Sequence, residues 1–110
     1  MQEINLLVAQ IIAMNHAWKL AVERWSGESN LANSLRDRKS CLQVRLLRDY
    51  QNWCFLRLDL DHTEGEDLYS VRLMQPITLE NGYERRDAEH MPVRLAQEFF
   101  TEDELSEIVK

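Results

Sequence analysis

Apolar and polar side chains alternate along the middle of the chain, between residues 41 and 75. Because successive side chains of a strand point to opposite faces, each alternating segment is predicted to be a strand, with leucine and valine on one face and arginine on the other. The segments are Cys41–Arg48, Trp53–Leu60 and Leu68–Gln75. The sequence therefore predicts a half-buried antiparallel sheet.

Residues 2–25 are predicted to form one long amphipathic helix. Apolar side chains recur there at spacings of three and four residues, and Ser26–Gly27 supplies a stop. The resulting stripe either packs on the sheet as the core or, in part, meets a second copy of the protein. The candidate residues for a homodimer interface repeat every seven positions: Ile4, Ile11, Trp18 and Trp25.

Four further segments carry local signals. Ser29–Arg38 is predicted to be a short helix or loop. Asn81–Gly82 lies between two short extended runs, which is typical of a tight hairpin turn. His90–Gln97 alternates again and contains a proline, which favours an edge strand. Thr101 and Glu104 have the spacing of a capping box and begin a short helix.

A chain of 110 residues with 45% hydrophobic residues has the size and composition of one globular domain. We predict a single α+β domain over residues 1–110. Its long N-terminal amphipathic helix packs on a mainly antiparallel sheet of four to six strands, and a short C-terminal helix closes the fold. If the sheet curls around the helix, a cavity between them would make the protein a small-molecule binder.

The net charge and the number of cysteines limit the functions and the cellular location expected for this chain. The formal net charge of −6 argues against general binding of polyanions. Two cysteines are too few for a disulfide framework, and Cys41 and Cys54 lie far apart in the predicted sheet. The N-terminal segment lacks a positive leader and an uninterrupted apolar run. We therefore expect a cytoplasmic protein that has no disulfide and does not bind membranes.

No segment has the spacing of a known catalytic or metal site. The sequence lacks HExxH, CxxC and GxSxG motifs and a glycine-rich phosphate loop. Residues 59–67 are acidic but lack the glycine and glutamate positions of an EF-hand. His16, His62 and His90 are interpreted as solvated or packing side chains. We expect no catalysis, no cofactor and no metal.

The arginine-rich side of the predicted sheet is the candidate binding surface. The five candidate partner-binding residues share its outward face: Arg45, Trp53, Phe55, Arg57 and Arg72. Arginine binds carboxylates through a planar fork, and Trp and Arg are common hot-spot residues at protein interfaces. The leading hypothesis is a protein-interaction module, such as an adaptor, chaperone or immunity-like inhibitor, that binds an acidic protein partner or a second subunit.

Two other interpretations of the same face stay open. The arginines are simply solvated if they pair with Asp59 and neighbouring acidic side chains. A nucleic-acid-associated regulator would use the face together with Arg36, Arg38 and Lys39, through phosphate contacts and base stacking. The net acidity and the missing aromatic RNA-binding motif favour the protein partner.

Overall fold

The computed structural model describes residues 3–60 and 65–110. They form α1 (Glu3–Trp25), α2 (Asn30–Asp49), β1 (Cys54–Asp59), β2 (Leu68–Thr78), β3 (Glu84–Pro92), α3 (Val93–Phe99) and α4 (Glu102–Ile108). The predicted α+β class with an antiparallel sheet is confirmed. The predicted strand number is too high, since the sheet in the described part of the chain has three strands in the order β1-β2-β3.

Helix α1 confirms the prediction of a long N-terminal helix, although the predicted first residue, Gln2, lies outside the described residues. Helix α1 ends at Trp25, directly before the predicted stop at Ser26–Gly27. Ser26 rather than Gly27 has the positive φ, 86°, and its N–H donates to the carbonyl of Val22 at 3.0 Å. The Ser26 hydroxyl accepts a hydrogen bond from the N–H of Glu28 at 3.3 Å. This local bond helps a non-glycine residue to adopt the left-handed conformation.

The prediction of a strand over Cys41–Arg48 is wrong, because this segment is the C-terminal part of α2. The helix begins after Ser29, whose hydroxyl accepts a hydrogen bond from the N–H of Ala32 at 3.1 Å. Residues 30–49 contain no glycine or proline and only one β-branched residue, which favours a helix. The segment's buried side chains have helical spacing: Gln43, Val44, Leu46 and Leu47.

The predicted edge strand over His90–Gln97 is wrong beyond its first three residues. Strand β3 ends at Pro92, and α3 begins at Val93. The N–H of Val93 donates to the carbonyl of Asp67 at 3.0 Å, which fixes the start of the helix against the segment before β2. Proline suits this position because it cannot donate to a strand ladder and is tolerated at a helix start.

Two local predictions are confirmed in the C-terminal half. Gly82 has a φ of 85°, and its N–H donates to the carbonyl of Leu79 at 2.9 Å, so β2 and β3 are joined at the predicted turn. The Thr101 hydroxyl accepts from the N–H of Glu104, and the Glu104 carboxylate accepts from the N–H of Thr101. Helix α4 therefore begins with the predicted capping box.

The core lies between the α1–α2 pair and one face of the sheet. Leu56, Val71 and Met91 contribute fully buried side chains from the three strands. Helices α3 and α4 extend the same core. After α4, Val109 forms an isolated parallel bridge with Leu56, and the N–H of Lys110 donates to the Leu56 carbonyl at 2.8 Å. The C-terminal residues thereby cover an edge of β1 that would otherwise be unpaired.

The two cysteines are unpaired and should differ sharply in reactivity. Cys41 is exposed on α2, whereas burial raises the pKa of the Cys54 thiol to about 12. The thiolate is the reactive form, so at pH 8 only about one Cys54 in ten thousand is reactive. Iodoacetamide should add once to the native protein and twice in guanidinium chloride, as measured by mass spectrometry. Native Cys41→Ser protein should stay unmodified, and rapid alkylation of its Cys54 would contradict the prediction.

Candidate functional site

The structure separates one of the five predicted partner-binding residues, Arg45, from the other four. Arg45 lies on α2, where its exposed guanidinium pairs with Asp49 at 3.6 Å. Its predicted place on the sheet face is therefore corrected, because the segment that carries it is helical. Phe55, Arg57 and Arg72 do share one face of the β1–β2 pair. Phe55 is the register partner of Arg72, and Arg57 follows Phe55 by two residues.

Trp53 lies in the turn immediately before β1. Its carbonyl accepts a hydrogen bond from the N–H of Met74 at 2.8 Å, which holds it beside β2. Trp53 and Met74 are 52% and 48% exposed. Trp53 also borders an open groove of about 500 Å³, next to residues 75–78 of β2. We call the surface of Trp53, Phe55, Arg57, Arg72 and Met74 the arginine face.

The positive charges of the arginine face are not neutralised within the described residues. The guanidinium of Arg57 lies over the Phe55 ring, 5.3 Å from its centroid, in a cation–π contact. In residues 3–60 and 65–110, no carboxylate forms an ion pair with Arg57 or Arg72. This arrangement leaves both guanidinium groups able to bind an external anion.

The acidic side chains near the arginine face are engaged elsewhere. Asp87 is the register partner of Arg72, but its carboxylate pairs with Arg85 at 2.8 Å. Asp59, the expected partner of the arginines, lies 2.7 Å from Nε2 of His90. His90 is on β3 and Asp59 on β1, so this pair links the two outer strands across β2. Among the described residues, the ion-pair partner of Asp59 is thus His90 on β3 rather than Arg57 or Arg72.

The predicted basic cluster of Arg36, Arg38 and Lys39 is divided, since Arg36 and Lys39 line one pocket and Arg38 is outside its lining. Lys39 is only 5% exposed, whereas Arg36 is half-buried and Arg38 is exposed. The Lys39 Nζ donates to Oδ1 of Asn15 at 3.1 Å and lies 5.0 Å from the centroid of the Trp18 ring. The three basic side chains therefore do not form the single exposed patch that the nucleic-acid alternative would use.

Lys39 instead belongs to a hydrogen-bonded relay that joins three elements. Nδ2 of Asn15 donates to Glu89 at 2.7 Å, and Glu89 accepts from Arg85 at 2.7 Å. The relay connects α2 through α1 to β3 and lines a pocket of about 120 Å³. Sequence reasoning missed it, because a lysine within a run of charged residues has the pattern of a solvated helix face.

The four residues predicted for a homodimer interface lie in different environments. Ile4 and Ile11 are buried in the core of the single chain, at 6% and 0% exposure. Trp18 is half-buried at the polar pocket, and Trp25 is 56% exposed at the end of α1. The core interpretation of the stripe is thus confirmed for the two isoleucines. Their role in a homodimer stays a prediction.

Residues 59–67, which are acidic and include His62, are the segment of the sequence that most resembles a metal site. Residues 61–64, including His62, lie outside the described residues. Within residues 3–60 and 65–110, no three His, Cys, Asp or Glu side chains come together as metal ligands. None of the helices in those ranges combines the length and apolar character needed to cross a membrane.

Comparison with protein families, with curated proteins and with solved structures gave no match to this chain. Positive charge, exposure and aromatic side chains coincide on the arginine face.

Proposed function

We propose that this protein is a non-catalytic, cytoplasmic protein-interaction module whose arginine face binds an acidic segment of a partner protein. The observation that supports this most directly is the pair of guanidinium groups, Arg57 and Arg72, that have no carboxylate partner among the described residues. Exposed Trp53 and Met74 lie at one end of the same face. Arginine and aromatic side chains contribute most of the energy at many protein interfaces.

The register suggests the form of the partner segment. Arg57 and Arg72 are diagonal neighbours across β1 and β2, which places the two residues about 7–8 Å apart. Side chains at positions i and i+2 of an extended peptide lie on one side, about 7 Å apart. An extended segment with two acidic residues separated by one residue therefore matches both arginines. An apolar side chain further along would reach Trp53 and Met74.

Net charge favours an acidic peptide over nucleic acid. A protein with a charge of −6 repels a polyanion at long range, whereas a short acidic motif interacts mainly with the two nearest arginines. Each charged hydrogen-bonded pair contributes about 1.5 kcal/mol. The two arginines together would then account for about a hundredfold in affinity.

Random peptides displayed on phage provide a test that needs no known partner. Selection on the wild-type protein should enrich peptides with acidic residues two positions apart. The double variant Arg57→Glu/Arg72→Glu should bind the enriched peptides about a hundredfold more weakly in fluorescence polarisation. Arg38→Glu/Arg45→Glu is the matched control, since both arginines are exposed on α2, and it should bind normally.

Both double variants should keep a thermal midpoint close to that of the wild-type protein. Arg38, Arg45 and Arg57 are exposed, Arg72 is half-buried, and the one ion pair lost among the described residues, Arg45–Asp49, is exposed to solvent. Enrichment of peptides without acidic residues, or equal binding by the arginine-face variant, would contradict the proposal. Retention of single-stranded RNA at about 50 mM salt by the wild type, and its loss in the arginine-face variant, would instead favour the nucleic-acid alternative.

A further inference from the structure

The long helix α1 has apolar side chains on the side that faces solvent as well as on the side that faces the core. Between Ile4 and Val22 its only residue with a fixed charge is Lys19. Leu6 and Leu20 are 52% and 47% exposed on the side away from the core. Leu6, Ala13 and Leu20 therefore form a narrow apolar stripe on the exposed side, flanked by exposed Gln10 and His16. An apolar stripe of this kind is what a surface helix normally buries against a partner.

The exposed side of α1 borders an apolar groove of about 500 Å³. Leu6, Ile12 and Ala13 contribute apolar side chains to the groove from α1, and Leu79 contributes one from the turn between β2 and β3. The lining also includes the polar residues His16, Glu80 and Asn81. Grooves of this kind, beside an apolar helix, are typical surfaces for binding another amphipathic helix.

We propose that this side of α1 packs antiparallel against the same side of α1 in a second copy of the chain, with the two-fold axis at Ala13. The apolar side chains of the stripe are symmetric about that residue: Leu6 and Leu20 are seven positions away, and Ala9 and Ala17 are four. An axis at Ala13 therefore brings Leu6 of each copy to Leu20 of the other. Such self-complementarity is what a two-fold interface requires.

Charge supports the antiparallel direction. Glu3 and Arg24 are both exposed at opposite ends of α1, and Glu3 also accepts a hydrogen bond from the Tyr50 hydroxyl at 3.3 Å. In the antiparallel pair, Glu3 of one copy lies near Arg24 of the other, at both ends. A parallel pair would instead bring like charges together and would align the helix dipoles unfavourably.

Disulfide cross-linking tests the direction and the axis, in a Cys41→Ser background that removes the exposed native thiol. Ala13→Cys should form a disulfide-linked dimer of twice the 13.1 kDa chain mass, because the two residues meet at the axis. Leu6→Cys alone should not cross-link, since its two copies lie about 21 Å apart and a disulfide needs Cα atoms within about 7 Å. Leu6→Cys/Leu20→Cys should cross-link.

Sedimentation equilibrium measures the association without any cross-link. The wild-type protein should form a dimer, and Leu6→Lys/Leu20→Lys should raise its dissociation constant by about a hundredfold or more. Leu60→Lys is the matched control, because Leu60 is 79% exposed outside α1, and it should dimerise normally. Arg57→Glu/Arg72→Glu should also dimerise normally. The proposed dimer and the proposed role of the arginine face can therefore be refuted independently of each other.

Three results would overturn the proposal. The first is a wild-type protein whose mass stays at 13.1 kDa at every concentration. The second is a Leu6→Cys variant that cross-links as readily as Ala13→Cys, which would indicate a parallel or nonspecific pair. The third is a Leu6→Lys/Leu20→Lys variant that still dimerises, which would place the interface elsewhere.

Discussion

Replacement of Asn15 by leucine is expected to lower the free energy of unfolding by about 3 kcal/mol. The Asn15 side chain accepts a hydrogen bond from Lys39 at 3.1 Å and donates one to Glu89 at 2.7 Å. Leucine has a similar volume but can form neither bond. Lys39 is 5% exposed, so water replaces the lost hydrogen bond poorly.

Urea unfolding followed by circular dichroism measures this effect. Asn5→Leu is the matched control on the same helix, because its amide donates to the carbonyl of Thr78 at an exposed site, at 3.3 Å. The control should lose less than about 1 kcal/mol. A stability of Asn15→Leu within about 0.5 kcal/mol of the wild type would show that the relay contributes nothing net.

Replacement of Gln43 by leucine is expected to cost about 2–4 kcal/mol of unfolding free energy. Gln43 is fully buried, and its Nε2 donates to the carbonyls of Ala88 at 2.9 Å and His90 at 3.2 Å. The register shift places Ala88 and Glu89 together opposite one residue of β2, as in a β-bulge, and a bulge interrupts the strand ladder. The glutamine supplies hydrogen bonds to carbonyls at this interruption.

Gln97→Leu is the matched control for this prediction, since Gln97 is exposed on α3 and has no buried partner to lose. It should change the unfolding free energy by less than about 0.5 kcal/mol. Amide hydrogen exchange should show faster opening of β3 in Gln43→Leu, because the bulge loses its support. Unchanged protection of β3 together with wild-type stability would show that the bulge is stable without Gln43.

Elements that depend on near neighbours were predictable. The length and end of α1, the Asn81–Gly82 turn and the capping box of α4 each depend on residues within one or two helical or turn spacings. Hydrophobic periodicity, turn residues and helix caps act over these short distances. The interactions that stabilise these three elements can therefore be recognised in the local sequence.

Segment 41–48 shows where local pattern fails. Its alternating side chains fit a strand, and its composition fits a helix. The helix is favoured because it buries Gln43, Val44, Leu46 and Leu47 together. That stripe packs where α1 and the sheet meet, and no short window of sequence contains those partners.

For this protein, the sequence by itself determined the α+β class, the long apolar helix, and the shared face of Phe55, Arg57 and Arg72. The tertiary structure decided that Arg45 lies on α2 and not on that face. It also decided that Asp59 pairs with His90 and that Lys39 is buried in the hydrogen-bonded relay. The physical reason is that periodicity and capping act along the chain. Burial and the choice of ion-pair partner depend instead on residues brought together only by folding.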